Sequence, residues 1–319
     1  MNRVAVTGSH GYIGSVLRMI LSDHGVDVYA CDNRSDIGSL PVHCNSYTKS
    51  LLRCSFDEDE FIYTVIAGNI DTIYHLAGTS LVGPDATDPL LYYWNNTART
   101  ATMLKKLTDR GWRGHIIFSS TAAVYGSSDQ PLRETDITAP NSVYGASKLL
   151  TEQILATASK YGINTTTFRF FNVAGALDEM GEEHEDTHLI SRLCVAALNH
   201  STVSVFGTDY PTSDGTCIRD YVDVCDICRA LIYAANNGIY GTYNLGTKTG
   251  TSVLDMISIF NEVTGRNVSW QQADRRPGDV PSLTADSTEF QRTGFKYKYN
   301  VRDVIKSSWD YFRKAEYGF

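Results

Sequence analysis

The chain has 319 residues, of which 42% are apolar and 20% charged, with 28 Lys plus Arg against 36 Asp plus Glu. That length suggests about two domains, and the composition supplies a sizeable core and excludes a disordered chain. A formal net charge of −8 argues against nucleic-acid binding, which needs a basic face to displace counterions.

Strand-like apolar runs alternate with helical ones along the chain. Arg3–Val6 is a short apolar run closed by Thr7-Gly8. Tyr12–His24 follows with Ile13, Leu17, Ile20 and Leu21 at helical spacing, and Val26–Cys31 reads as the next strand. Thr72–Leu76, His115–Ser119 and Thr166–Phe171 are further strands; Asn95–Arg110 and Tyr144–Tyr161 are helices. Such alternation predicts an α/β fold, a Rossmann doubly wound parallel sheet with helices on both faces. After Asn172 the rhythm changes. Ala174–Thr187 reads as a loop, Leu189–Asn199 as a helix, Val203–Phe206 as a strand and Val224–Asn236 as a helix rejoining the first layer. The expected organisation is a dinucleotide domain over 1–172, to which 217–245 returns. A smaller discontinuous α/β lobe then comprises 173–216 and 246–319. No run approaches the ~20 apolar residues of a membrane span. The N-terminus lacks the apolar centre of a signal peptide, so a cytoplasmic protein without membrane partners is expected. Seven cysteines, odd in number and scattered, read as thiols in a reducing compartment.

Two motifs carry chemistry. Gly8-Ser9-His10-Gly11-Tyr12-Ile13-Gly14 opens a helix directly after a strand. Glycines there let the backbone turn tightly and approach a pyrophosphate whose charge sits on the helix N-terminus. Asp32 ends the next strand, where a carboxylate accepts hydrogen bonds from an adenosine ribose and repels a 2′-phosphate. This favours NAD over NADP. Tyr144-Gly145-Ala146-Ser147-Lys148 puts a phenol and an ammonium on one helical face. The cation is expected to lower the phenol from ~10 toward neutrality, making an acid/base for a sugar hydroxyl. Ser119-Ser120-Thr121 ends an apolar strand, where sheets of this kind bind ligands, and the Thr121 hydroxyl can bond the reacting oxygen. His75 is read as either a buried turn residue or a neighbour of the cofactor. Cys225-Asp226-Ile227-Cys228 has no second cysteine pair, and His184 and His188 among Glu182, Glu183, Glu185 and Asp186 read as a solvated acidic loop, so no metal is expected.

Nearly the whole chain resembles the extended short-chain dehydrogenase/reductase superfamily, and within it the UDP-hexose 4-epimerases (UDP-glucose 4-epimerase type). TGSHGYIGS (7–15), CDN (31–33), HLAG (75–78), YYWNNT (92–97), SSTAAVYG (119–126), YGASK (144–148), FRFFNVAGA (168–176), VFGTDYPTSDGTCIRDYVDV (205–224) and RRPGDVP (275–281) carry the resemblance. It implies Tyr144 as the base at the 4-hydroxyl, with Lys148 tuning it and Thr121 beside it. Gly8, Gly11, Tyr12, Ile13, Gly14, Asp32, Asn33, Leu76, Ala77, Gly78, Asn95, Tyr144, Lys148 and Phe171 match positions that contact NAD. Thr121, Asn172, His188, Leu189, Ser204, Val205, Phe206, Arg219, Arg276, Asp279 and Leu283 match positions that hold a UDP-sugar. It also implies a homodimer. Asp223 stands where the family usually has His, Ser80 replaces a cofactor-side lysine, and the second nucleotide-contacting acid is not legible in TKSLLRCSFDED. Asp36 leaves the adenine contacts open. Leu283 is smaller than the tyrosine of some members, which predicts room for N-acetylated sugars. The rival readings are a nucleotide-sugar dehydratase or decarboxylase, which needs a carboxylate where Ala122 and Ala123 stand, and a non-catalytic NAD-binding module.

Overall fold

The computed structural model describes residues 3–34, 47–80, 88–128, 130–182, 188–276 and 278–317. Two compact units emerge from it. The first comprises Met1–Gly126, Ile137–Arg169 and Cys228–Tyr243; the second comprises Ser127–Asp136, Phe170–Ile227 and Asn244–Phe319.

The first unit is built on a seven-stranded sheet. Its strands are β1 (Arg3–Thr7), β2 (Asp27–Cys31), β3 (Ser50–Leu52), β4 (Thr72–His75), β5 (His115–Thr121), β6 (Asn164–Phe170) and, later in the chain, β10 (Gly241–Leu245). Their order is β10-β6-β5-β4-β1-β2-β3, and β3, β2, β1, β4 and β5 pair in parallel. The fold class is the expected one. Val4, Ala5, Val6, Ile73, Tyr74, Ile116 and Ile117 are buried, as in strands covered on both faces. The chain leaves β1 toward β2 and returns on its other side as β4. The strand order therefore reverses between the carboxyl ends of β1 and β4, where open α/β sheets bind ligands.

Observed boundaries differ from the expected ones where local chemistry intervenes. The Tyr144 helix spans Val143–Ala156 and tightens into a 3-10 turn, Thr157–Tyr161, that ends on Gly162 in the left-handed region. The expected helix 95–110 is helical over Arg99–Asp109, but Tyr93–Ala98 before it is a π-helical turn. The sequence reading assigned neither β3 nor the helix Asp59–Ala67.

A buried hydrogen-bond chain locks the ends of β1 and β4. Thr100 donates its hydroxyl to the Asn96 carbonyl (2.7 Å), so it accepts from His75 Nε2–H (2.9 Å). His75 Nδ1 then accepts from the Thr7 hydroxyl (2.8 Å), whose oxygen receives the Ala77 amide (3.3 Å). Complete burial holds the His75 imidazole down to about 3. His75 is thus a neutral fold-locking residue.

This has a pH signature. Below ~6.5 the unfolded chain protonates this imidazole and the folded chain does not, so stability is lost as pH falls from ~6.5 toward 3. In His75→Gln, stability followed by denaturant unfolding should depend on pH more weakly, by about one proton over that window. An unchanged slope would show that His75 takes up its proton in the native state.

The second unit carries β7 (Asn172–Ala174), β8 (Val203–Phe206), β9 (Ile218–Asp223), β11 (Gly250–Ser252), β12 (Trp270–Ala273) and β13 (Ser282–Leu283). β9 pairs with β11, β13 and β7, and β8 pairs with β12. A core of Leu193, Val205, Tyr221, Phe260, Ile305 and Trp309 sits beneath them. Buried Asp220 on β9 ties this unit together. Its carboxylate accepts the Thr247 amide (2.8 Å) and hydroxyl (2.7 Å), the Lys248 amide (3.0 Å) and the Ala285 amide (3.1 Å).

Candidate active site

The glycine loop leaves β1 at Gly8, whose φ of +65° needs a residue without Cβ. A Cβ there would also lie 2.7 Å from the Ala77 backbone, so the loop rests directly on the residues that follow β4. A Cβ on Gly14 would collide with the Gly8 carbonyl oxygen, which brings the helix Tyr12–Asp23 onto the loop. Gly11 is the N-cap of that helix, and no side chain caps it. Its first turn thus offers backbone donors and the positive end of the helix dipole to an anion. Asp32 is buried beneath. Its carboxylate accepts the His10 amide (2.9 Å) and the Arg34 amide (3.1 Å), tying β2 to the loop. Each oxygen keeps a second lone pair for a ribose hydroxyl, and Asn33 beside it is exposed. This cradle fits a dinucleotide.

The π-helical turn completes that side. Consecutive residues of an ordinary helix point apart, yet Asn95 and Asn96 both reach Thr79. Asn95 donates to the Thr79 hydroxyl (2.9 Å), and Asn96 accepts the Thr79 amide (2.7 Å) and donates to the Thr79 carbonyl (3.1 Å). Asn96 also donates to the Ser147 hydroxyl (2.9 Å), fastening the Tyr144 helix to the loop after β4. Sequence reasoning singled out Asn95 and missed Asn96. The adjacency of the two in YYWNNT was the available signal. A Cβ on Gly78 would lie 2.7 Å from the Asn96 side chain and 3.4 Å from Lys148 Nζ, which places Leu76, Ala77 and Gly78 next to this junction.

Tyr144 and Thr121 come together. The Thr121 hydroxyl accepts the Ala123 amide (3.1 Å) and is a polar neighbour of the Tyr144 phenol that favours its ionisation. Gly145 lets the helix approach this closely, since a Cβ there would strike the Ala123 carbonyl. Lys148 is buried four residues on. Its ammonium donates to the Ser119 carbonyl (2.8 Å) and lies 4.8 Å from the Phe118 ring centre. Burial lowers Lys148 to about 8, against the pull of Glu152. The expected acidification of the phenol by Lys148 does not appear. Desolvation pushes Tyr144 up to about 12, opposed by Thr121. Burial of the phenol outweighs what its neighbours do to favour ionisation.

In the second unit, β13 runs beside β9 with Leu283 opposite Arg219. Arg219 donates to the Val280 carbonyl (2.9 Å) and pairs with Asp279 (3.2 Å). Arg276 is exposed and stacks on Phe206, its guanidinium 3.9 Å from the ring centre. Ser204 and Val205 precede Phe206 on β8. His188 pairs with Glu182 (3.2 Å) and caps the helix Leu189–Leu198, which begins at Leu189. Asn172 starts β7, and the Phe171 amide before it is spent on the Leu245 carbonyl (3.0 Å). Asp223, the residue in place of the family's histidine, is buried at the end of β9 and accepts the Cys225 amide (2.8 Å). Burial raises it to about 6. Ser80 is exposed. Asp36, Glu183, His184, Glu185 and Asp186 lie outside the described residues. Cys225 and Cys228 are buried thiols of one helix.

A parallel sheet with a glycine cradle at its switch point and a Tyr-x-x-x-Lys helix beside it defines a nucleotide-dependent redox fold. Residues 4–246 match the NAD dependent epimerase/dehydratase family, and the chain belongs to that family. It is 35% identical to the UDP-glucose 4-epimerase of Halalkalibacterium halodurans, spanning 99% of this chain and 97% of that relative. It is 37% identical to that of Azospirillum brasilense, spanning 98% and 93%. Among solved structures, the UDP-glucose-4-epimerase from Stenotrophomonas maltophila with bound NAD and formylated UDP-arabinopyranose superposes with a TM-score of 0.92. It is 31% identical and covers 99% of both chains.

Proposed function

We propose that this protein is an NAD-dependent UDP-hexose 4-epimerase, interconverting UDP-glucose and UDP-galactose by transient oxidation at C4. The observation that carries this reading is Thr121 at the carboxyl end of β5, set beside the helix of Tyr144 and close enough to ease the phenol's ionisation, with buried Lys148 four residues further along that helix. Full-length similarity to UDP-glucose 4-epimerases supports it. When bound, NAD+ supplies the hydride acceptor and a positive charge on its nicotinamide ring. Gly8, Gly11, Tyr12, Ile13 and Gly14 hold the pyrophosphate, Asp32 and Asn33 the adenosine ribose. Leu76, Ala77, Gly78, Asn95, Lys148 and Phe171 line the rest of the dinucleotide.

Tyr144 removes the proton of the sugar 4-hydroxyl and returns it after inversion. Thr121 donates to the phenolate as it forms and steers the hydroxyl. Arg219 and Arg276 take the UDP pyrophosphate, for which guanidinium groups are suited. Asn172, His188, Leu189, Ser204, Val205, Phe206 and Asp279 hold the remaining UDP-sugar contacts. Dehydration or decarboxylation would need a carboxylic acid beside Thr121. Ala122 and Ala123 occupy those positions, and Glu152 is committed to Arg169.

The purified protein should convert UDP-galactose to UDP-glucose with no cofactor added, because each cycle regenerates NAD+. Absence of the C4 epimer with NAD+ supplied would refute the assignment. The same assay with UDP-GlcNAc tests the room beside Leu283, and failure to turn it over while UDP-galactose reacts would end the N-acetyl reading. A homodimer is also proposed, resting on exposed Leu90, Leu91, Trp94 and Leu150 of the first unit. A monomeric mass by light scattering would remove it. Among the described residues no helix is long and apolar enough to cross a membrane.

A further inference from the structure

The helix that carries Tyr144 and Lys148 also carries Glu152, eight residues past the phenol and four past the ammonium. Glu152 is buried and ion-paired with buried Arg169 on β6 (2.7 Å). The pair is bidentate: Arg169 Nε donates to Glu152 Oε1 (3.1 Å) and Nη2 to Oε2 (2.7 Å). It has two further arms. Glu152 Oε1 accepts the Ser120 hydroxyl, and Arg169 Nη1 donates to the Tyr125 phenol oxygen (2.7 Å). Arg169 also lies over the Tyr125 ring, 4.8 Å from its centre. Ser120 immediately precedes Thr121, and Tyr125 closes the short turn that follows it. Both sides of the Thr121 hydroxyl are therefore anchored to one buried charge pair.

We infer that Glu152 and Arg169 are a positioning pair for the reaction: they clamp the segment 120–125 that presents Thr121 against the helix of Tyr144. The inference rests on the roles of Tyr144, Thr121 and Lys148 proposed above. Burial of an ion pair is costly unless every oxygen and proton is satisfied. Here the surplus hydrogen-bonding capacity is directed at the residues flanking Thr121. Glu152 approaches Lys148 from its own helix, His75 from β4 is neutral, and β5 offers the Ser119 carbonyl and the Phe118 ring. Glu152 is the anion in that set.

The test compares Glu152→Gln with the wild-type holoenzyme. Glutamine keeps the shape and can still accept from Ser120, but carries no charge. The expected result is a fall in kcat of roughly tenfold or more with KM for UDP-galactose within about twofold. The alkaline limb of the kcat–pH profile should move to lower pH, because Lys148 loses its neighbouring anion and gives up its proton sooner. Glu152→Gln leaves Arg169 as a buried charge without its carboxylate, and the double variant Glu152→Gln/Arg169→Met removes that cost. If the pair merely holds the fold together, the double variant recovers kcat. If the pair positions the site, the fold returns but kcat stays low. A folded Glu152→Gln variant with unchanged kcat overturns the inference. A wild-type protein without epimerase activity would instead refute the functional assignment.

Discussion

Tyr144→Phe should lower turnover by roughly 10³-fold while the protein still retains NAD, because one oxygen atom carries the acid/base step and the ring carries the packing. The substitution deletes the phenol oxygen that Thr121 influences and leaves the helix, Gly145 and Lys148 in place. Burial holds this phenol up to about 12 even with Thr121 beside it, far above neutral pH. The proton can leave at neutral pH when positive charge is also present. Single-turnover kinetics with UDP-galactose and absorbance of the retained cofactor separate the two effects. Retained turnover would remove Tyr144 from the chemistry, and loss of cofactor together with turnover would make its role structural.

Gly8→Ala should be as damaging, by a different route. The residue sits at φ +65°, which costs an alanine ~1–2 kcal/mol, and crowding of a backbone that cannot swing aside adds ~1–3 kcal/mol. The crowding is specific, since the new methyl would meet the Ala77 amide nitrogen and Cα at 2.7 Å. Relief requires the loop to lift off β4, which moves the amides that Gly11 and the following turn present. The expected result is loss of copurified NAD together with a lower melting temperature. Added NAD+ should restore only part of that temperature. A variant that keeps both cofactor and stability would show that the loop tolerates displacement.

Much of the first unit was legible because its signals are local. Strand, three glycines, helix and strand-end acid follow one another within thirty residues, and each is fixed by its immediate neighbours. β8, at Val203–Phe206, and the helix Val224–Asn237 were similarly plain from apolar spacing. The helix Asp59–Ala67 was missed because Phe61, Ile62, Tyr63, Thr64, Val65 and Ile66 are β-branched or aromatic, and burial of one face overrode that preference. The π-helical turn at Tyr93–Ala98 has no propensity signature. The Glu152–Arg169 pair spans 17 positions, and nothing in either local stretch announces the other. Helical spacing correctly put Tyr144 and Lys148 on one face. It carries no information on where a flexible ammonium ends, which is why the acidified phenol was expected and the Ser119 contact was not.

The first unit is assembled from three separate stretches, and its outermost strand, β10, is made long after β6, beside which it lies. During synthesis on the ribosome, the outer row of β6 amides and carbonyls stays bare while all of residues 171–240 emerge. A bare strand edge is a template for pairing with other chains. The nascent protein is therefore most exposed to misassembly in that interval, and chaperone occupancy should peak there and fall once Gly241–Leu245 has left the exit tunnel.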